Sequence, residues 1–362
     1  MKIVTVIGTR PQIIKASILL KELKKTNHKN ILVYTGQHYS KNLSDIFFRE
    51  LNLEIPDYNL QIGSGSYSYQ IQTGIEHLSE ILELEKPDRI VTIGDSNPAL
   101  VGARTAYQKN IHLVHCEAGL RSNDRHEPEE KNRVFIDSYA HQLFCPTQEC
   151  LDNLRLENIK TKPILTGDLL YDCWKKYQSS QKQPQLKFID QLETNNFCLL
   201  TLHRQSNLSD VVKLQKIIGM LTNSWDLPTV FCVHPGTKKR LQELALLKEL
   251  EQKKNFWMIE PLSYLEMRWM QNNCAIVMTD SVGIQVEAYL CQKPSIILRE
   301  KTEHHVLEKL GWSVKINPKL DELFSCYNLA QNLINYPPLN YDVELFGDGN
   351  AASKMVERII KE

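Results

Sequence analysis

Residues able to move protons crowd into one stretch, His115 to Arg133, HCEAGLRSNDRHEPEEKNR, directly after the apolar run IHLV. Acidic Glu117, Asp124, Glu127, Glu129 and Glu130 and basic Arg121, Arg125, Lys131 and Arg133 surround Gly119 and Pro128, with almost nothing apolar to bury. A loop this charged at the end of a buried strand is where a doubly wound sheet places its chemistry. Asp95, closing the strand-like run RIVTIGD, supplies a further carboxylate from a separate segment. Crowded acids can hold different protonation states, as a general acid and a general base must. Clustered carboxylates also bind magnesium, but no DxD or DxxxD pattern accompanies these, and Arg121 and Arg133 would neutralise them. Acid–base chemistry by Asp95, Glu117, Glu129 and Glu130, with no metal, is therefore favoured.

Other polar residues fall at the ends of strand-like runs. GTRPQIIK opens a helix after the first strand, with Thr9 as cap and Pro11 in the first turn. Its free amides, with Arg10 and Lys15, suit an anion such as a diphosphate, although an ordinary capped helix would read the same. TDSVGIQVEA repeats the logic in the second half: Ser281 and the amides around Gly283 can hold phosphate oxygens, and Glu287 can accept both hydroxyls of a ribose. His203 in TLHRQ and His234 in VHPGT end equivalent strands, a placement that raises each above a lone structural histidine. No GxGxxG follows a strand, so a nicotinamide or flavin cofactor is not expected, and no serine sits in GxSxG.

The elements that must position these groups alternate along the chain. KIVTVIG, ILVYTG, RIVTIGD and IHLVHCE are strand patterns separated by amphipathic helical ones, and FCLLTLH, TVFCVHP, NFWMI, CAIVMTD and PSIILR resume the alternation after the polar tract Gln178 to Gln185. The fold class is α/β, with two Rossmann-like halves of parallel strands facing a cleft. The expected domains are 1–168 with the carboxylates and 186–345 with the nucleotide-binding residues. The closing segment, 346–362, could join either half, and return to the first is the arrangement taken. At 362 residues the chain is long for one core, and its 43 acidic and 43 basic residues give no electrostatic case for nucleic acid or a membrane surface. No apolar run approaches the roughly 20 residues that span a bilayer, and MKIVTVIGTRPQ is interrupted too early for a secretory signal. The nine cysteines show no zinc-type spacing and read as reduced core thiols of a cytoplasmic protein.

Together GTRPQIIKAS, TGQHYS, GDSNPALVGA, CEAGLRS with PEEKNR, TGDLLYD, HR with Asn207, HP, TDSVGIQVEA with KPSIILR, and KTEH resemble the non-hydrolysing UDP-N-acetylglucosamine 2-epimerase family, in that family's order. The resemblance implies a GT-B-like pair of domains, the nucleotide held mainly by the second. It implies inversion at carbon 2 without a cofactor, by elimination of UDP and its re-addition to a 2-acetamidoglucal. By motif position Asp95, Glu117 and Glu129 match the family's catalytic carboxylates and His203 its functional histidine. Arg10, Ser281 and Glu287 match nucleotide contacts, and Lys15, Arg121, Arg133, His234 and Gly283 are taken with them as substrate-binding. Gln37 and Arg204 lie in segments that bind a second, activating UDP-sugar in some members. A UDP-sugar substrate, a homodimer and a role in surface polysaccharide synthesis follow at the same level. Gln12, Pro98, Gln205, Ser206 and Val282 depart from common family residues, and Gln12 with the LRS loop looks more like the branch acting on UDP-2,3-diacetamido-2,3-dideoxyglucuronate. A GT-B glycosyltransferase, a hydrolysing epimerase and a non-catalytic nucleotide-sugar binder are the competing readings.

Overall fold

The computed structural model describes residues 1–36, 41–63, 65–318 and 325–361, and the side chains of 41–44 are left aside. Gln37 thus lies outside the described residues. The chain divides into two compact units, residues 1–177 with 343–362, and residues 178–342.

In the first unit the apolar runs form β1 (Lys2–Ile7), β2 (Lys29–Tyr34), β3 (Tyr58–Asn59), β4 (Arg89–Ile93), β5 (His112–Cys116), β6 (Gln142–Cys145) and β7 (Pro163–Leu165). They pair in parallel in the order β3-β2-β1-β4-β5-β6-β7. Their side chains, Val4, Val6, Ile31, Val33, Ile90 and Leu113 among them, are buried against helices, which is why these segments read as continuous rather than alternating apolar runs. The order reverses between β1 and β4, where Ile3 faces Arg89 in register. That switch point is where an open α/β sheet leaves room for a ligand, and the turns Gly8–Arg10 and Gly94–Asp95 lie just past it.

The second unit repeats the plan with β8 (Cys198–Leu202), β9 (Thr229–Val233), β10 (Phe256–Ile259), β11 (Ile276–Thr279), β12 (Ser295–Ile297) and β13 (Ser313–Lys315). The order is β10-β9-β8-β11-β12-β13, all parallel, reversing between β8 and β11. Its core gathers Leu200, Leu202, Phe231, Met278 and Ile296 with the helix Val211–Asn223.

The first unit runs past residue 168, because the helix Leu169–Lys176 packs on Arg10–Leu23. The helix Ala351–Lys361 packs on both. Asp172 holds it there, its two carboxylate oxygens accepting the Ala351 and Ala352 amides at 3.1 and 2.8 Å. Gly167 and Gly347 cross so closely that a Cβ on Gly347 would lie 2.8 Å from the Gly167 Cα. Among the described residues no helix is long and apolar enough to cross a membrane.

Candidate active site

In the first unit the Gly8–Arg10 turn is built by Gln12. Its Oε1 accepts the Gly8 and Thr9 amides at 2.9 and 3.1 Å, while its Nε2 donates to the Ile93 carbonyl at 2.8 Å. One buried amide thus ties the start of the helix Arg10–Leu23 to the end of β4, just before Gly94 and Asp95. A glutamate, with no proton to donate when ionised, could not make both sets of bonds. Arg10 lies with its guanidinium 4.5 Å from the centre of the Phe47 ring, the geometry of a cation–π contact.

Glu117 follows β5 with φ +74°, a left-handed backbone that costs a side-chain-bearing residue about 1–3 kcal/mol. Two hydrogen bonds hold it there, since the Phe144 carbonyl accepts both the Glu117 and Ala118 amides at 3.1 and 2.9 Å. The bend turns its carboxylate toward Gly94, where a Cβ would stand 2.9 Å from Glu117 Oε2. Lys15, one turn into the first helix, forms an ion pair with Glu117, the two side chains 7 % and 14 % exposed. Burial opposes the Lys15 charge, but Glu117, Asp168 and Asp95 outweigh it and move its pKa up. Burial, helped by Asp168 and Asp95, raises the Glu117 carboxyl above the usual range despite Lys15. A carboxyl pushed up in this way holds its proton more readily than a solvated one, a property that suits proton transfer.

Asp95 is gripped by the helix Pro128–Tyr139: its carboxylate accepts from Arg133 Nε at 2.9 Å and its carbonyl from Asn132 Nδ2 at 2.8 Å. Arg133 is buried and also pairs with Glu130 at 2.7 Å. Glu130 in turn accepts the Ser122 and Asn123 amides at 3.0 and 2.9 Å, so it shapes the charged loop and is not free for acid–base work. Glu129, half-buried beside it in the same first turn, lies near Tyr67, whose hydroxyl burial pushes up, with the Glu129 charge adding to the rise against Arg104.

Two residues expected to bind substrate are turned inward. Arg121 meets Glu157 through Nε and Nη2 at 2.7 and 2.8 Å, the Leu120 carbonyl at 2.8 Å and Asp137 at 2.7 Å. Arg133 serves Asp95 and Glu130. Both are buried posts of the loop, because in a loop with so little apolar side chain the ion pairs supply the interior. The structure brings Lys15, Glu117 and Asp95 together and adds Asp168, which sequence reasoning passed over. Asp168 is buried and caps the helix Leu169–Lys176 by accepting the Leu170 amide at 2.7 Å; the motif TGDLLYD, in which it follows a short strand, is the signal that could have found it.

In the second unit Asp280 is the hub. It accepts the His203 and Arg204 amides at 3.0 and 2.8 Å and Asn207 Nδ2 at 3.0 Å. Its other oxygen lies 3.2 Å from His203 Nδ1 and so orients an imidazole whose side chain is 43 % exposed. Arg204 points instead toward buried Glu303, 3.8 Å away, which Arg299 holds at 2.7 Å. His234 caps the helix Pro235–Glu243, its Nδ1 accepting the Gly236 amide at 3.2 Å. Ser281 caps Val282–Leu290, placing Gly283 in its first turn, and Glu287 is buried with one oxygen accepting from Gln271 Nε2 at 2.8 Å.

Two parallel, doubly wound α/β units, one bearing buried carboxylates beside a lysine and the other a capped helix start with a buried glutamate, define the GT-B-like class of nucleotide-sugar proteins. Residues 21–360 match the UDP-N-acetylglucosamine 2-epimerase family, and the chain belongs to that family of isomerases. It is 37 % identical over 339 residues to the UDP-N-acetylglucosamine 2-epimerase of Methanocaldococcus jannaschii, covering 92 % of this chain and 93 % of that one. It is 34 % identical over 368 residues to the UDP-2,3-diacetamido-2,3-dideoxy-D-glucuronate 2-epimerase of Pseudomonas aeruginosa, covering all of both. The crystal structure of the M. jannaschii enzyme in complex with UDP-GlcNAc and UDP superposes with a TM-score of 0.93 at 35 % identity, covering 100 % of each chain.

Proposed function

We propose that the protein is a non-hydrolysing 2-epimerase of a UDP-activated N-acetylhexosamine, converting UDP-N-acetylglucosamine to UDP-N-acetylmannosamine or a derivative pair by elimination and re-addition of UDP. The observation that carries this is the buried Lys15–Glu117 pair with Asp95 at the switch point of the first sheet. The hydrogen at carbon 2 is weakly acidic, so its removal needs a placed base while the departing diphosphate is stabilised. Asp95, ion-paired to Arg133, and Glu117, raised by burial, offer two carboxyls in unlike settings, as removal from one face and return on the other require. Arg10 and the positive end of the helix Arg10–Leu23 favour a diphosphate in the same unit. In the second unit the start of Val282–Leu290 suits phosphate oxygens, and Glu287 suits a ribose. Family membership favours this reading over a glycosyltransferase.

The similarity to the P. aeruginosa enzyme over the full length of both chains supports a second substrate, the UDP-2,3-diacetamido uronic acid. Incubation of the purified protein with each UDP-sugar, followed by proton NMR of the anomeric region, tests both. A new manno resonance without free sugar supports the proposal, and the faster substrate identifies the branch. Free sugar or transfer to an acceptor would overturn it.

A further inference from the structure

The mechanism above makes no use of His115, yet it is a fully buried, titratable side chain two residues before Glu117. Its Nε2 lies 3.0 Å from the Gly94 carbonyl and its Nδ1 2.7 Å from Asp137 Oδ1. A carbonyl only accepts, so Nε2 carries a hydrogen. The proton between Nδ1 and Asp137 then belongs to one of the two. Asp137's other oxygen accepts the Gly119 amide at 3.2 Å and meets Arg121 Nη1 at 2.7 Å, both of which favour a carboxylate. Burial acts to raise the Asp137 carboxyl, but His115 and Arg121 outweigh it and hold it below the usual range. Hydrogen-bond accounting therefore puts one proton on His115 Nε2 and a second in the short bond between Nδ1 and Asp137.

We infer that the His115–Asp137 pair is a buried positioning device that fixes the Gly94–Asp95 turn against the Glu117 turn. The ring bridges β4 and the helix Pro128–Tyr139, and Asp137 reaches back to Gly119, two residues past Glu117. The helix carrying Asp137 also carries Arg133, which grips Asp95 one turn earlier. Asp95 and Glu117 thus hang from one rigid set of charges. The charged group facing the pair is Arg121 from the loop, itself held by Glu157. The functional part of this inference rests on the epimerase reading, whereas the hydrogen bonding of His115 does not.

Two measurements test it. Nitrogen-15 NMR of histidine side chains in the intact protein should show His115 Nε2 carrying a proton and Nδ1 sharing one with Asp137. A ring with Nε2 unprotonated would overturn the inference, and this readout survives even if no UDP-sugar is turned over. In Asp137→Asn, turnover should fall roughly tenfold to a hundredfold with KM little changed, as for a small misplacement of reacting groups, and Asp137→Glu should recover part of it. Lower melting temperatures with unchanged turnover would mean that the pair only holds the fold. Should Asp137→Asn fail to fold, the nitrogen spectrum of the wild-type protein decides.

Discussion

Replacing Lys15 with methionine removes the cation that faces Glu117 and leaves the rest of the first helix intact. Methionine keeps the aliphatic stem, so the change is mainly electrostatic. Two unit charges about 4 Å apart interact by about 4 kcal/mol at an effective dielectric of about 20. That figure is a ceiling. Burial, with Asp168 and Asp95, already pushes the Glu117 carboxyl up and Lys15 holds it down, so removing Lys15 moves it further up. The rate of carbon 2 exchange should fall and recover as pH rises, its acid limb displaced upward, while UDP binding to the second unit changes little. The linkage to stability has a definite sign. A carboxyl whose folded pKa is raised binds more protons folded than unfolded, so the variant is least destabilised in acid and loses stability as pH rises through the new folded pKa. An acid limb that does not move, or a variant most stable in alkali, would refute the pairing.

Asp172, pushed up to about 6 by burial, caps Ala351–Lys361, and the same sign applies: the stability difference between wild type and Asp172→Asn should decline as pH rises from about 4 to about 6, as read by denaturant titration. Asp172→Ala should cost about 1–2 kcal/mol through loss of the cap. Glu117→Asn and Glu117→Gln should both abolish turnover, but the asparagine variant should melt higher, because Asn accepts the left-handed backbone at φ +74° more readily. Glu287→Ala should weaken UDP binding by about 1–3 kcal/mol, measured calorimetrically, through loss of a buried hydrogen-bonding carboxylate.

What the sequence revealed follows from how each feature is encoded. Largely apolar runs such as KIVTVI and CLLTL bury both faces and stand out, whereas Tyr58–Asn59 and Pro163–Leu165 are too short to carry a pattern and owe their pairing to neighbouring strands. Asp95 and Glu117 were legible because a carboxylate just past an apolar strand has few bland explanations. Arg121 and Arg133 show in the sequence as charges only, and the ion pairs that hold them inside the loop are not recorded there. Asp137 was invisible for the same reason, lying four residues after Arg133 in an ordinary helical stretch. The return of the last helix to the first unit depends on Asp172 meeting two amides far along the chain, a contact no local pattern records.

The account turns on whether these carboxyls exchange the hydrogen at carbon 2 while the sugar stays attached to UDP in substrate and product. The most direct measurement is a time course in D2O with UDP-N-acetylglucosamine and purified protein, following carbon 2 by NMR. Deuterium entering carbon 2 of both epimers, with no free sugar released, is the predicted result. Epimerisation without deuterium, or no exchange in a protein that binds UDP and turns over neither UDP-sugar, would contradict it.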